Sequence, residues 1–438
     1  MKTLFVNALL LPCTPGMPVM PRGWLLVDGD RIAGLGVGPA PDTAGAQVVD
    51  LGGDVLMPGM VNPHSHLAMS LFRGLGEDVD DRLYRYILPL ERGFVSPDMV
   101  RAGTALSALE SIMGGVTTVA DMYYFETEVA AVLDACGLRA VVGQTLADFD
   151  PPDHKTWDEG FARVDELVAA YGDHPRITPS IAPHAPYSTG IAVMERVARW
   201  AEDHPGLPIQ MHVGETDAEN DWAARHGLTP VQAVDQAGLL RPGLICAHSL
   251  HVSPDDIARM AEAGVGVAHN ARANGKAGRG IAPVVAMRAA GIPVGISTDG
   301  PMSGNTLDLF AQFGPVSMFQ KLAGHSRKPM PSVEVIRMAT LEGARVLGLD
   351  GRVGSLVAGK QADLIRVSLD APRLHPIYDI YATLVFSAMA PDVRDVMVAG
   401  QWLLRDRQAM TMDRAKVMAD AAQVAGRFRH RMAEIDAA

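Results

Sequence analysis

Cysteine is nearly absent: Cys13, Cys136 and Cys246 are the only three in 438 residues, and none forms a C-x-x-C pair. That excludes a disulfide-stapled fold and a thiolate metal site, and it sets a reducing, cytoplasmic location as the expectation. Long apolar runs are missing too. No stretch of eighteen or more apolar residues occurs, so neither a helical span nor a membrane partner is expected. The opening MKTLFVNALLLP puts a Lys before an apolar stretch, but Asn7 interrupts it and no small-residue cleavage pattern follows. It reads as a first strand rather than a secretory signal. Basic residues number 38 against 50 acidic ones, a formal charge of −12. Phosphate backbones would be held against that field, so nucleic acid is not an expected partner. The chain also lacks a G-x-x-x-x-G-K-[ST] loop, a G-x-G-x-x-G after a strand and a G-x-S-x-G elbow. Phosphoryl transfer, hydride transfer and serine hydrolysis are thereby left without their parts.

What is present is 48% hydrophobic and 20% charged, a globular composition, at a length that suits one large α/β barrel with a smaller appended domain. The first fifty-odd residues are short β-type runs (TLFVNALLL, GWLLVDGDRIAGLG, QVVDLGGDVLMPG) with Gly, Pro and Asp-Gly turn signals, and the same texture returns in GSLVAGKQADLIRVSL and VRDVMVAGQWLLRDR. Residues 1–56 and 355–411 are therefore expected to pair into one composite β-sandwich, and 57–354 to form the barrel. The Ala-, Arg- and Met-rich stretch 412–438, from Asp413 onward, reads as a terminal helix. Within the middle block, eight apolar runs alternate with amphipathic helical stretches: VLMPGMVN, VTTVA, RAVVGQTLA, RITPSIAP, PIQMHVG, LICAH, GVGVAH and PVGISTD. Alternation of this kind implies βα units, and eight of them close a (β/α)8 TIM-like barrel.

Nearly every run ends in a chemically capable side chain: His64 and His66, Asp121, Asp148, His184, His212, His248, His269 and Asp299. In such a barrel the C-terminal strand ends form one face, so residues scattered along the chain become one cluster. Residues i and i+2 of a strand point to the same side, so His64 and His66 can grip one ion together. His212 and Asp299 complete a three-His, one-carboxylate set that suits one divalent ion per subunit, Zn or alternatively Fe. None of the seven lysines closes the fourth run, where His184 stands, so a second metal bridged by a carbamylated lysine is not expected. Three residues past His212, Glu215 can pass a proton between water and substrate, although a carboxylate beside a helix start can also serve as a cap. His248 can orient the water, or can be a core histidine bonded to a carbonyl.

The motifs MPGMVNPHSHLAMSLFRGL, GGVTTVADMY, APHAPYS, MHVGET, HSLHVS, the HN at 269–270, GIAPV and GISTDGPMSGNTLDLF occur in order over almost the whole chain. In them the sequence resembles the amidohydrolase superfamily, in its S-adenosylhomocysteine/5′-methylthioadenosine deaminase and chlorohydrolase branch. The resemblance implies a metal-bearing (β/α)8 barrel with His64, His66, His212 and Asp299 as metal ligands. It also implies proton handling by Glu215 and His248, with Asp299 acting beside them in catalysis. It carries over Glu91 and His184 as substrate contacts, Glu91 to ribose hydroxyls; read alone, Glu91 is a surface helix carboxylate. The expected reaction is hydrolytic deamination of an amino-substituted heterocycle, an adenine nucleoside or a related purine or pterin, with attack by metal-bound hydroxide and loss of ammonia. A triazine chlorohydrolase or N-dealkylating enzyme uses the same centre, and a non-catalytic binding barrel is the alternative of another class. Two stretches depart from the family pattern. HNARANGKAGRG at 269–280 introduces Arg272 and Arg279, and Arg82 and Leu88 stand where tryptophans are usual. These arginines either pair with an anionic substrate group or are surface charge. The implied partners are a small heterocyclic substrate and water, in a homodimer or higher homo-oligomer.

Overall fold

A computed structural model describes residues 2–79 and 81–437. Met1 and Ala438, the outer ends of the two predicted terminal units, lie outside the described residues, as does Asp80. The N-terminal strands are β1 (Lys2–Leu10), β2 (Met20–Asp28), β3 (Arg31–Val37), β4 (Gln47–Asp50) and β5 (Val55–Pro58). The barrel strands are β6 (Met60–Ser65), β7 (Val116–Tyr123), β8 (Arg139–Leu146), β9 (Ile177–Pro183), β10 (Ile209–Val213), β11 (Leu244–His248), β12 (Gly266–His269) and β13 (Val294–Ile296). The C-terminal strands are β14 (Leu364–Val367), β15 (Val393–Val398), β16 (Gln401–Arg405) and β17 (Gln408–Ala409).

Both ends of the chain meet in a nine-stranded mixed sheet of order β17-β16-β15-β14-β5-β1-β2-β3, with β4 also on β1. The join runs through β5, parallel to β1 and antiparallel to β14. Alternating side chains give this unit its own small core, in which Phe5, Leu10, Leu25, Leu56, Leu364 and Met397 pack together. The run VLMPGMVN divides between the two domains: Val55–Pro58 belongs to the terminal sheet and Met60 opens the barrel. Gly59 makes the crossing, because a Cβ there would lie 2.1 Å from Thr117 Oγ1. Its N–H bonds the Asp363 carbonyl of the terminal domain, while the next N–H, of Met60, bonds Gly115 at the barrel floor.

Eight parallel strands then follow in chain order from β6 to β13. The strands read as near-continuous apolar runs because helices cover their outer faces and side chains fill the interior. No ladder pairing joins β13 to β6 among the described residues. The seam is closed by side chains instead. Asn62 donates from Nδ2 to Thr298 Oγ1 at 2.8 Å and accepts from the Thr298 N–H at 3.2 Å. Val61 N–H goes to the Ala339 carbonyl, so the turn before the helix Leu341–Val346 occupies the edge of β6.

The terminal helix spans Arg414–Ala437 and begins one residue later than the Asp413 boundary expected from composition. Asp413 lies outside it, accepting the Lys416 N–H at 3.1 Å as a cap does. Phe428 of this helix packs against Phe72 and Phe94, with ring centroids 5.0 and 5.4 Å away, and so buttresses the segment that follows His66. No helix among the described residues is long and apolar enough to cross a membrane.

Candidate metal centre and active site

Three strand ends bring the four predicted ligands together. His64 lies in β6 and His66 just beyond it, His212 lies in β10, and Asp299 follows β13. The His64 ring sits 4.8 Å from that of His66 and 5.0 Å from that of His212, centroid to centroid. Asp299 Oδ1 is 3.4 Å from His66 Nε2 and 3.7 Å from His64 Nε2. His248, at the end of β11, forms a second close triad with His64 and His212, so it stands beside the same cluster.

Hydrogen bonds settle the tautomers of two rings. His66 Nδ1 bonds the Met122 carbonyl at 2.6 Å, and His212 Nδ1 bonds the His184 carbonyl at 2.9 Å. A carbonyl only accepts, so each Nδ1 carries a hydrogen, and either ring, when neutral, turns an Nε2 lone pair inward. Those two Nε2 atoms lie 3.3 Å apart. Facing lone pairs repel unless a cation or a proton sits with them. His64 Nε2 is fully buried and makes no hydrogen bond. Inward nitrogens and the adjacent Asp299 carboxylate therefore fit a divalent cation of the nitrogen- and oxygen-liganded type. Burial pushes His64 down to about 4 and His212 well below its usual range; in His66 the Asp299 carboxylate overrides burial and brings the ring to about 9. Asp299 is itself held far down by His64 and His66, against the burial that works to raise it.

Backbone strain gathers at the same place. His248, Ser249 and Asp299 adopt left-handed φ values of 73°, 48° and 60°. Non-glycine residues in this region cost of order 1–3 kcal/mol each and persist where surrounding structure over-determines them.

Glu215 and His248 face each other across this cluster, with Oε1 and Nε2 3.5 Å apart. Burial tends to raise the Glu215 carboxyl, but the His248 ring and the Arg279 guanidinium outweigh it and hold the group below its ordinary value. His248 Nδ1 bonds Asn274 Oδ1 at 2.8 Å, which leaves His248 Nε2 directed at the carboxylate. Glu219 fixes the loop, taking the N–H groups of Gly214 and Glu215 on its two carboxylate oxygens, both at 2.8 Å. Its signal in the sequence is Thr216-x-x-Glu219, the pattern of a helix-start capping box, but here the carboxylate reaches further back than the cap.

Glu91 is buried, on the helix Leu88–Phe94, and accepts a hydrogen bond of 2.7 Å from the Tyr123 hydroxyl. Burial pushes its carboxyl up to about 7. His184 bonds Ser188 Oγ through Nδ1 at 2.8 Å, and its ring lies 4.8 Å from that of His212 and 5.1 Å from Phe149. Three other strand-end residues stand differently. Asp121 is fully buried and accepts the Leu67 N–H, bracing the turn after His66. Asp148 is exposed beyond β8. His269 is buried with neither ring nitrogen bonded. Asn274, Glu219 and Tyr123 are additions that sequence reading missed, because their partners lie on other elements.

The three arginines of the altered loops have protein partners. Arg82 donates to the Met302 carbonyl at 2.5 Å, and Arg272 to that of Gly304 at 2.9 Å. Both therefore clamp the short helix Pro301–Gly304 that follows Asp299. Arg279 forms a close ion pair with Glu215.

Comparison with known proteins shows the family and the fold. A 5-methylthioadenosine/S-adenosylhomocysteine deaminase of Syntrophobacter fumaroxidans is 37% identical over 423 residues, covering 95% of each chain. The crystal structure of an adenosine deaminase from Xanthomonas campestris with bound zinc superposes with a TM-score of 0.94 at 34% identity, covering 98% of each chain. Atrazine chlorohydrolase from Arthrobacter aurescens TC1 shares the fold, with a TM-score of 0.89 at 21% identity over 97% of this chain and 100% of its own. The amidohydrolase family pattern matches residues 55–403, which take in all eight barrel strands and every residue of the cluster, and the chain belongs to that family.

Proposed function

We propose that the chain is a metal-dependent hydrolytic deaminase of an adenine nucleoside of the 5′-methylthioadenosine, S-adenosylhomocysteine or adenosine type. His64, His66, His212 and Asp299 would hold one zinc ion. The observation that carries this reading is the Glu215–His248 pair, 3.5 Å apart beside a cluster of inward-facing imidazoles. Relatives named as deaminases at 33–37% identity support it.

When bound, the ion supplies Lewis acidity that makes a water molecule a nucleophile near neutral pH. The residues divide the remaining work. Glu215 Oε1 collects the proton given up by the attacking water and passes it to the ring nitrogen beside the carbon bearing the amine. His248 Nε2 faces the same oxygen and steadies the attacking water. Glu91, buried and bonded by Tyr123, offers its free oxygen to ribose hydroxyls, and His184, beside His212 and Phe149, is the second substrate contact. A cytoplasmic setting fits the three free, buried thiols.

The test incubates zinc-loaded protein with 5′-methylthioadenosine, S-adenosylhomocysteine, adenosine, guanine and a chloro-triazine, following ammonia and the ultraviolet shift. Turnover of an adenine nucleoside is expected. Chloride release from the triazine with silence on every amine would overturn the reading.

A further inference from the structure

Glu215 has two neighbours of very different kinds. His248 comes from the rigid end of a barrel strand, whereas Arg279 reaches in from a surface loop and has a side chain 36% exposed. The loop is tied to the catalytic face at a second point. Asn274, in the short helix Ala271–Lys276, bonds His248 through its side chain and takes the Arg279 N–H on its carbonyl at 3.0 Å. One segment thus grips both proton-handling residues.

A carboxylate that must accept a proton during turnover is a poorer acceptor while a guanidinium holds it, because the ion pair favours the charged form. The contact with Arg279 therefore belongs to a resting state. The means of leaving it lies on either side: Gly278 and Gly280 have φ of +66° and +109°, and nothing lies within 4 Å of where their side chains would be. These backbone states are open to glycine and closed to most other residues, so Arg279 rides on a two-glycine hinge in free space.

We infer that Arg279 is a latch: it holds Glu215 in the ligand-free protein and swings away with the 277–281 loop when substrate enters. It is a positioning residue that acts through Glu215. The inference rests on the proposed role of Glu215 as proton carrier, and its first test does not require turnover.

Trypsin cuts after an arginine only when that side chain is free to enter the protease. The rate of cleavage at Arg279, read by mass spectrometry of the fragment starting at Gly280, is compared with the rate at Arg327, an exposed residue on another loop with no ion pair to Glu215. Glu215→Gln removes the charge that holds the latch and should raise the Arg279/Arg327 ratio about tenfold, the size expected of a partly buried pair worth on the order of 1.4 kcal/mol. Wild type in about 1 M sodium chloride, which screens such a pair, should raise the ratio in the same direction if the variant does not fold. An unchanged ratio in both cases overturns the latch whatever reaction the enzyme performs. Once a substrate is known, Arg279→Gln should lower KM several-fold with kcat within about twofold, since the closed state no longer competes with binding. A KM that rises or stays the same overturns the inference, and a rise would make Arg279 a substrate contact.

Discussion

The two ends of the barrel bury polar groups in opposite ways. At the floor, Arg139 opens β8 and is 1% exposed, yet its guanidinium is fully engaged. It donates to both Asp363 oxygens at 2.9 and 3.1 Å, to the Pro175 carbonyl at 3.3 Å, and to Gln361. Asp363 also takes the Ala399 N–H at 2.8 Å. Every charge is matched, and the network bolts the barrel to the terminal sheet. At the other end, His64 Nε2, His248 Nε2 and both nitrogens of His269 are buried with no hydrogen bond, although carboxylates stand near the first two. Closed valences at one end join two domains, and polar atoms without hydrogen bonds gather at the other.

Substitutions sharpen this contrast, and the largest effect belongs to the open end. Glu215→Gln should lower kcat by about 10²–10⁴ with the melting temperature nearly unmoved; turnover within tenfold of wild type would break the comparison. Arg139→Ala should do the reverse. Leaving Asp363 buried and uncompensated should cost about 3–5 kcal/mol in denaturant unfolding, while activity per folded molecule is retained. Asp299→Asn should cut bound metal by atomic emission and remove most of the metal-linked stabilisation, about 3 kcal/mol at a hundredfold excess over Kd. Melting with and without a chelator reads this directly.

Glu91 gives the smallest effect and a pH signature. Its carboxyl is raised from 4.5 to about 7, chiefly by burial, so the neutral form is favoured in the fold. The associated stability is present in full below the unfolded value and is lost as pH rises through about 7. Melting curves of the wild type should show that loss, and Glu91→Gln should flatten it; equal slopes for the two proteins between about pH 5 and 8 would sink the assignment.

The barrel was largely legible because its signals are local. LICAH is β11 as read, and GVGVAH and PVGISTD need only trimming to Gly266–His269 and Val294–Ile296. The run VLMPGMVN misled at one point: its apolar character continues through Gly59 while the chain changes domains, and only the packing against Thr117 marks the break. At the site, the family motifs picked out residues that the fold brings into one cluster, but Glu91 read without them was a surface carboxylate. Its burial and its Tyr123 partner come from an approach of two elements 32 positions apart.

Sequence alone determined which residue types close the strands, since strand length, side-chain alternation and the H-x-H spacing of His64 and His66 are properties of neighbouring residues. Tertiary structure decided what those residues do for one another. The direction of the His66 and His212 lone pairs depends on carbonyls 56 and 28 positions away, and the hold on Glu215 depends on Arg279, 64 positions away. Hydrogen bonds and ion pairs act over about 3 Å, and only closure of the barrel brings such distant positions within that range.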